Sequence, residues 1–259
     1  MIMKDSKQLW ALYDALITPI PPERRVDEVI PGGHWTMVRS GKGAGLAMTI
    51  VRPPDQESRP RSLPPVAEGI PLRELAEAVK SWNFAESSLG AAAINAYWNS
   101  PEHPAIAKAL EYGSLGAFET YRSRVAGKKV AVIGHFRHIE RTLEDVCELS
   151  ILEKRPQADD YPDSACEFLL PFQDFVFATG VTFINKTLPR LLEIAAGIEF
   201  IMVGPSVPLC PLLFDFGIRD LQGFTVTDPD LLREIAGGKR PDLGVFDAGK
   251  RVSISAGLA

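Results

Sequence analysis

A histidine and a phenylalanine follow a glycine at the end of the short apolar run Val130 to Phe136, which reads Val-Ala-Val-Ile-Gly-His-Phe. Histidine can act as a general base, donate a hydrogen bond or ligate a metal ion, and an aromatic ring can stack on a planar ligand. We therefore take Gly134 and Phe136 as candidate ligand-binding residues and His135 as a candidate catalytic residue and metal ligand. His138 could bind the same metal ion as His135. The alternative is that His135 only caps the following helix.

An acidic residue, Glu153, ends the next apolar run, about 20 residues beyond Gly134, where Rossmann-like sheets place an acid for a ribose hydroxyl. The loop after Gly134 is not a dinucleotide fingerprint, because bulky residues replace the later glycines of Gly-x-Gly-x-x-Gly. Glu153 is therefore a candidate ligand-binding residue, and a solvated turn is the alternative.

Polar and small residues also follow a third apolar segment, in the run Thr179 to Thr187 that leads into a helical stretch. Asn185 or Thr187 could simply cap this helix, or the N–H groups at its start could favour an anionic ligand. Because these residues gather at one strand end, we take four of them as ligand-binding candidates: Thr179, Gly180, Asn185 and Thr187.

A stiff loop, Gly204-Pro205-Ser206, follows a fourth apolar run. Ser206 is not in a nucleophile elbow, since Gly-x-Ser-x-Gly is absent. The three residues are either a hydrogen-bonding wall of a ligand pocket or a purely structural turn. Cys210, shortly afterwards, is either a packing residue or a soft metal ligand.

Two polar residues, Glu86 and Asn95, stand in the alanine-rich helical stretch Ala85 to Asn99. An asparagine in the middle of a helix is locally disfavoured. Its compensation is either a buried hydrogen bond to backbone or contact with a ligand in a cleft between domains. We take Glu86 and Asn95 as candidate catalytic residues that approach the strand-end residues from the other side of such a cleft.

The elements that must position these residues follow two patterns. From Val130 onwards, short apolar runs alternate with helical segments, which predicts a Rossmann-like, doubly wound parallel sheet in an α/β domain. The predicted strands cover 130–133, 149–152, 175–179, 200–203 and 223–226, and the predicted helices cover 139–147, 164–169, 187–196, 211–216 and 230–236.

Before that point the pattern is β-then-α and predicts a small α+β domain. A helix ends before Pro19, a β-meander covers 26–51, Arg52 to Gly69 reads as an irregular loop, and helices follow. We place the two domains at residues 1–112 and 113–259. The later predicted helices are one opened by Pro71, then 85–99, 103–112 and 117–125.

Composition limits the class of protein. With 46% hydrophobic and 24% charged residues and a net charge of -5, the chain is typical of a globular protein and not of a nucleic-acid binder. It has no apolar run near the roughly 20 residues of a membrane span and no apolar signal core at its start. We therefore expect a cytoplasmic protein with reduced cysteines and no membrane partner. Trp82 and Trp98 are expected to be exposed, which would suit a homodimer.

The motifs together resemble the domain-of-unknown-function family 364, also called the heavy-metal chelation domain family. The resemblance spans nearly the whole chain and implies a Rossmann-like carboxyl part preceded by a small part similar to the amino-terminal domain of enolase. It rests on Glu86 to Tyr97, Val132 to Phe136, Thr179-Gly180 with Asn185 and Thr187, and Val203 to Ser206.

The resemblance implies a small-molecule ligand and an enzyme that acts on a pterin-, flavin- or siderophore-like compound in heavy-metal chelation. We expect this site to lie between the two domains. A non-catalytic protein that binds a heavy-metal ion or metal chelate is the first alternative. A methyltransferase-like enzyme that uses S-adenosylmethionine is the second, suggested by the strand pattern and Glu153 and weakened by the missing glycine-rich turn.

Overall fold

The structure of the protein is a computed structural model that describes residues 6–50, 68–112, 115–137, 139–157 and 159–257. Most of the loop predicted from Arg52 to Gly69 lies outside the described residues, and so does His138. Within the described ranges, no helix combines the length and the apolar character needed to cross a membrane.

The amino-terminal part is a three-stranded antiparallel sheet with helices packed against it, so the predicted meander is confirmed. Val29 lies opposite Val38, and Met37 lies opposite Leu46. The elements are α1 (Ser6–Ile17), β1 (Glu28–Pro31), β2 (Trp35–Ser40), β3 (Gly43–Met48), α2 (Leu72–Glu77) with a 3₁₀ turn (Ala78–Lys80), α3 (Phe84–Trp98) and α4 (Pro104–Tyr112).

Helix α3 lies very close to strand β3, because glycines stand where the two backbones meet. A Cβ added at Gly45 would lie 1.9 Å from the carbonyl oxygen of Ala92, and one added at Gly43 would lie 2.1 Å from that of Ala96. The alanine-rich helix predicted from the sequence therefore packs small residues on the sheet. Side chains larger than alanine on the helix face would hold the two backbones apart.

The carboxyl part is a seven-stranded sheet with helices on its faces, as the alternating pattern predicted. It contains α5 (Ala117–Tyr121), β4 (Lys129–Ile133), α6 (Ile139–Leu143), β5 (Glu148–Glu153), β6 (Tyr161–Pro162), α7 (Cys166–Leu169), β7 (Phe175–Thr179), α8 (Val181–Ile184), α9 (Leu188–Ile194), β8 (Glu199–Val203), β9 (Asp220–Val226), α10 (Pro229–Ala236) and β10 (Gly249–Ser255). Four 3₁₀ segments accompany them: Asp163–Ala165, Leu170–Phe172, Pro211–Phe216 and Val245–Ala248.

The strand order of this sheet is β10-β9-β8-β7-β4-β5-β6, and every pair except β10 with β9 is parallel. The chain passes from β4 to β5 and β6 on one side and then returns to β7 on the other. The strand order thus reverses beside β4, which makes this place the topological switch point of the sheet.

Some predicted elements differ from the structure. The edge strands β6 and β10 were not predicted, since β6 is only two residues long and β10 alternates polar with apolar residues. The predicted helix 139–147 ends at Leu143, because the chain must turn into β5, and Gly127 N donates to Val146 O in that turn at 2.7 Å. The predicted helix 211–216 is a 3₁₀ segment.

The hydrophobic core crosses the predicted boundary between residues 112 and 113. Leu16 and Ala92 belong to the same cluster of buried residues as Ala131 and Met202. A second cluster fills the opposite face of the parallel sheet beneath α5 and α6. The division of the chain into two domains at this boundary stays a prediction.

One aromatic residue was placed wrongly by the sequence. Trp98 is only 7% exposed, and its Nε1 donates to Leu16 O at 2.8 Å, so it belongs to the core. Trp82 is 54% exposed, as expected. The homodimer suggested by these two residues stays a prediction that now rests on Trp82 alone.

Candidate functional site

A cavity of about 500 Å³ opens at the carboxyl edge of the parallel sheet, where β4, β5 and β7 end. Open α/β sheets bind ligands at this switch point. We call it the edge cavity. Its apolar lining is Ile133, Leu152, Val181, Leu191 and Ile194, and the remaining lining residues are Gly134, Glu153, Lys154, Asp163, Ser164, Cys166, Glu167, Thr179, Thr182, Asn185, Lys186, Thr187 and Arg190. The cavity thus brings together the sequence candidates Gly134, Glu153, Thr179, Asn185 and Thr187.

Gly134 allows the ends of β4 and β7 to meet beside the cavity. Its φ of +97° lies in the left-handed region that favours glycine. A Cβ at this position would lie 2.8 Å from Thr179 Cγ2, which is closer than side chains normally approach. Gly134 N donates to Leu152 O at 2.9 Å, so the end of β5 is held in the same arrangement.

Glu153 presents a carboxylate to the cavity. Its Oε2 accepts a hydrogen bond from His135 N and its Oε1 accepts one from Arg155 N, both at 3.1 Å. Among the described residues, no cationic side chain forms an ion pair with it. A carboxylate has about four acceptor positions, so Glu153 keeps the capacity to accept from a ligand.

Asn185 presents an amide to the same cavity. Its Oδ1 accepts from Thr187 N at 3.1 Å and from Thr187 Oγ1 at 2.7 Å, which orders the turn before α9. Within the described part of the chain, its Nδ2 makes no hydrogen bond. The structure therefore leaves one donor group of Asn185 available to a ligand.

Lys186 lines the cavity and was missed by the sequence analysis. Its backbone adopts φ +65°, which is rare for a residue other than glycine. Its Nζ donates to Ser87 Oγ at 2.8 Å, to Ile184 O at 3.1 Å and to Ser81 O. Burial lowers the pKa of Lys186 to about 7, whereas the three acceptors favour the ammonium form. The side chain therefore ties the cavity to the start of α3.

Removing the Lys186 ammonium should change how stability depends on pH. Its pKa is about 7 when folded, below the ordinary 10.5, so the unfolded chain binds more protons between these values. The folded state therefore gains stability from this group as the pH rises from 7 towards 10. Lys186→Met lacks this gain, so its deficit relative to wild type should widen with pH.

Denaturant unfolding at several pH values measures this difference. Lys128→Met, at an exposed lysine, is the control and should follow the wild-type pH dependence. If Lys186→Met also runs parallel to wild type, Lys186 does not titrate as its burial requires.

Two ion pairs lie at the edge of the cavity. Lys154 Nζ lies 3.5 Å from Asp163 Oδ2, and Arg190 forms a two-point contact with Glu167 at 2.7 and 2.9 Å. Arg190 also lowers the pKa of the Glu167 carboxyl. These exposed pairs stabilise the fold little. Because of these pairs, the charges of Lys154 and Arg190 are already compensated by carboxylates of the cavity lining.

The two buried cysteines are protonated thiols. Burial raises the pKa of Cys166, in the cavity lining, to about 11, and that of Cys210 to about 12. The thiolate is the form that attacks substrates and binds metals. Cys210 is fully buried within the main hydrophobic cluster, which agrees with its interpretation as a packing residue.

His135 lies beside the cavity but does not line it. Its Nδ1 lies 3.0 Å from Asp160 Oδ2, and its Nε2 lies 3.3 Å from Glu140 Oε1. Both ring nitrogens of His135 thus face carboxylates. This geometry holds the loop after β4 in place, and a catalytic role for His135 stays a prediction.

The described residues contain no ready-made cluster of metal ligands. Among the described residues, no group of three or more His, Cys, Asp or Glu side chains is arranged to hold one. A role of His135 as a metal ligand stays a prediction.

Several other candidates lie at the seam between the two sheets and not in the edge cavity. Ser206 Oγ accepts from Met48 N at 2.9 Å, which joins the loop after β8 to β3. A Cβ at Gly180 would lie 2.7 Å from the carbonyl carbon of Ser206, so this glycine permits the close approach. Gly204 and Pro205 belong to the same loop. A role of these residues as a wall of a ligand pocket stays a prediction.

Phe136 packs away from the cavity. Its ring meets Phe118 edge-on, with 5.2 Å between centroids, and contacts the second hydrophobic cluster. A role in stacking on a ligand stays a prediction.

The two candidates in α3 are buried. Asn95 is fully buried and its Nδ2 donates to Leu46 O at 2.8 Å, the backbone bond that was one of its two expected compensations. Glu86 is 2% exposed and accepts from Ser81 Oγ at 2.6 Å. Neither residue is among those that line the edge cavity. A shared site between the two parts stays a prediction for these residues.

The fold and the cavity define a mixed α/β protein with a ligand-type cavity at the switch point of a mostly parallel sheet. Comparison with known proteins gives the family. The family DUF364, described as "Putative heavy-metal chelation", matches residues 116–242, and DUF4213, with the same description, matches residues 13–98. A DUF364 protein of unknown function from Desulfitobacterium hafniense, solved by crystallography, is 42% identical. The alignment covers 96% of this chain and 99% of that one, with a TM-score of 0.86. The chain therefore belongs to the DUF364 family.

The chain is also similar to two more distant relatives. A DUF364 crystal structure from Pyrococcus horikoshii shares the fold at 22% identity, with a TM-score of 0.76 over 96% of this chain and 99% of that one. An uncharacterised protein of Methanocaldococcus jannaschii is 29% identical over 213 residues, which are 78% of this chain and 77% of the relative. The likeness of the amino-terminal part to enolase stays a prediction.

Proposed function

We propose that this protein binds a small organic molecule in the edge cavity, and that the molecule is a metal-chelating compound of the pterin, flavin or siderophore type. The observation that supports binding is the edge cavity itself. Its volume of about 500 Å³ lies within the usual range for small-molecule sites, and its position is the switch point of the sheet. The family's heavy-metal chelation description supports the class of ligand.

The lining suits an organic molecule better than a bare ion. Leu152, Leu191 and Ile194 offer apolar surface, while Glu153 and Asn185 offer one acceptor group and one donor group. Ligand sites commonly combine an apolar lining with a few such polar groups. An organic chelator would bring its own metal ligands, so the protein would not need to supply them.

Blocking the cavity should prevent ligand binding. Ser164 is exposed and lines the cavity, so Ser164→Trp places an indole ring at its edge without removing core contacts. Native mass spectrometry of protein purified without additives, and then incubated with a cell extract, should show a bound small molecule on wild type. We expect Ser164→Trp to retain it at least about tenfold less, which is about 1.4 kcal/mol of binding.

The control is Ser123→Trp, an equally exposed serine outside the cavity lining. It should bind the molecule as wild type does. Equal retention by all three proteins would show that the molecule binds elsewhere.

A further inference from the structure

We infer that the ligand of the edge cavity carries neighbouring hydroxyl groups and no phosphate, and that the hydroxyl groups donate to Glu153. This inference rests on the proposed binding function and names the chemistry of its ligand. Three groups of observations carry it: the charges of the lining, the free hydrogen-bonding groups, and the backbone after β4.

The charges of the lining disfavour a phosphate. Lys154 and Arg190 are already paired with Asp163 and Glu167. The ammonium of Lys186 donates to Ser81, Ser87 and Ile184, none of which lines the cavity, and forms no ion pair with Glu153. Glu153 is the lining carboxylate that forms no ion pair within the described residues. A phosphate beside Glu153 would therefore meet a carboxylate that no cation of these residues compensates, whereas a neutral or cationic group would not.

The backbone after β4 also lacks a phosphate site. Phosphate-binding sheets place a glycine-rich turn and the first turn of a long helix at this position. Here Gly134 is followed by His135 and Phe136, and α6 is only five residues long.

The free hydrogen-bonding groups select for hydroxyl groups. Glu153 uses two acceptor positions for His135 N and Arg155 N and keeps others for a ligand. Because it stands at the end of the strand next to β4, it occupies the place where Rossmann-like sheets accept a pair of ribose hydroxyls. Asn185 Nδ2 can donate to a ring carbonyl or ring nitrogen of the same molecule, and the apolar lining can cover its ring.

This chemistry has three common sources: a nucleoside, a ribityl flavin and a pterin with a polyhydroxylated side chain. Matched probes separate them. The parents are adenosine, riboflavin and neopterin, the partners without the hydroxyl pair are 2′-deoxyadenosine, lumiflavin and pterin, and the phosphorylated partners are adenosine 5′-monophosphate and flavin mononucleotide. S-adenosylmethionine serves as a cationic nucleoside. Binding of nucleosides alone would support the hydroxyl chemistry and overturn the pterin, flavin or siderophore class proposed above.

Calorimetric titration of the full-length protein, freed of any co-purified molecule by unfolding and refolding, tests the inference. At least one parent, or S-adenosylmethionine, should bind with a Kd below about 1 mM. Loss of the hydroxyl pair should weaken binding about tenfold or more, as should addition of a phosphate where that partner exists, since hydrogen bonds to a charged group have this magnitude. Glu153→Gln should weaken binding by a similar factor, and Glu148→Gln, at the other end of β5, should not.

The inference is overturned if none of these compounds binds at about 1 mM, or if the deoxy or phosphorylated partners bind as well as their parents. If Glu153→Gln loosens the loop that Glu153 holds, binding of the parent compounds and of their partners to the wild-type protein still tests the inference. A molecule that wild type retains and Ser164→Trp loses, but that has no hydroxyl pair, would refute this inference and leave the proposed binding function intact.

Discussion

Replacing Asn99 by alanine should lower the free energy of unfolding by about 4 kcal/mol, because three buried backbone groups would lose their partner. Asn99 follows α3 and is 2% exposed. Its Nδ2 donates to Val207 O at 2.9 Å and to Phe224 O at 3.2 Å. Its Oδ1 accepts from Leu209 N at 2.8 Å. One side chain thus joins the end of α3 to β9 and to the loop after β8.

Guanidinium unfolding followed by circular dichroism measures this cost, which corresponds to a fall in Tm of about 8 to 16 °C for a chain of this size. Asn95→Ala is the matched control, the same substitution one turn earlier in α3. Among the described residues Asn95 makes a single side-chain hydrogen bond, to Leu46 O, so its loss should be about 1 to 2 kcal/mol. Equal losses in the two variants would show that Asn99 does not hold the two sheets together.

Replacing Gly45 by alanine should cost at least about 3 kcal/mol, because the new methyl group meets backbone atoms that no rotamer change can move. The added Cβ would lie 1.9 Å from Ala92 O and 2.2 Å from Ala96 N. Helix α3 would have to move away from β3, which would also lengthen the hydrogen bond from Asn95 to Leu46. We expect a lower Tm and a lower yield of soluble protein.

Gly33→Ala is the control, since a Cβ at that position meets no atom of the described residues within 4 Å, and its effect should stay within about 0.5 kcal/mol. Adding Ala92→Gly to Gly45→Ala should not restore stability, because the contact is with the carbonyl oxygen and not with the alanine side chain. Full rescue by Ala92→Gly, or a Gly45→Ala protein as stable as wild type, would refute the close packing of α3 on β3.

The sequence predicted those site residues whose position follows from one rule of sheet topology. Parallel strands end at one edge of a sheet, so residues that follow buried apolar runs gather there. Gly134, Glu153, Thr179 and Asn185 were found in this way, and all line the edge cavity.

The residues that were missed depend on tertiary packing. Lys186 adopts a left-handed backbone and reaches the start of α3, and no local pattern reveals either property. Asp160, which fixes the His135 ring, lies in a loop without a periodic signal. Asn99 was predicted only as the last residue of a helix, although its side chain spans the seam between the two sheets.

The candidates that now lie outside the cavity have a common explanation. A polar residue in a buried position indicates that something compensates it, but the sequence does not say whether this is a ligand or a backbone group. For Asn95 and Ser206 the structure shows backbone partners, Leu46 O and Met48 N. Both hold the small sheet in place, and through Lys186 this seam is connected to the edge cavity.

A crystal structure of the protein purified with its natural ligand is the most direct test of the account. We expect density for one organic molecule in the edge cavity, within hydrogen-bonding distance of the Glu153 carboxylate and the Asn185 amide. Ordered water alone in this cavity, together with a ligand bound at the seam between the two sheets near Asn95 and Ser206, would contradict the proposed site.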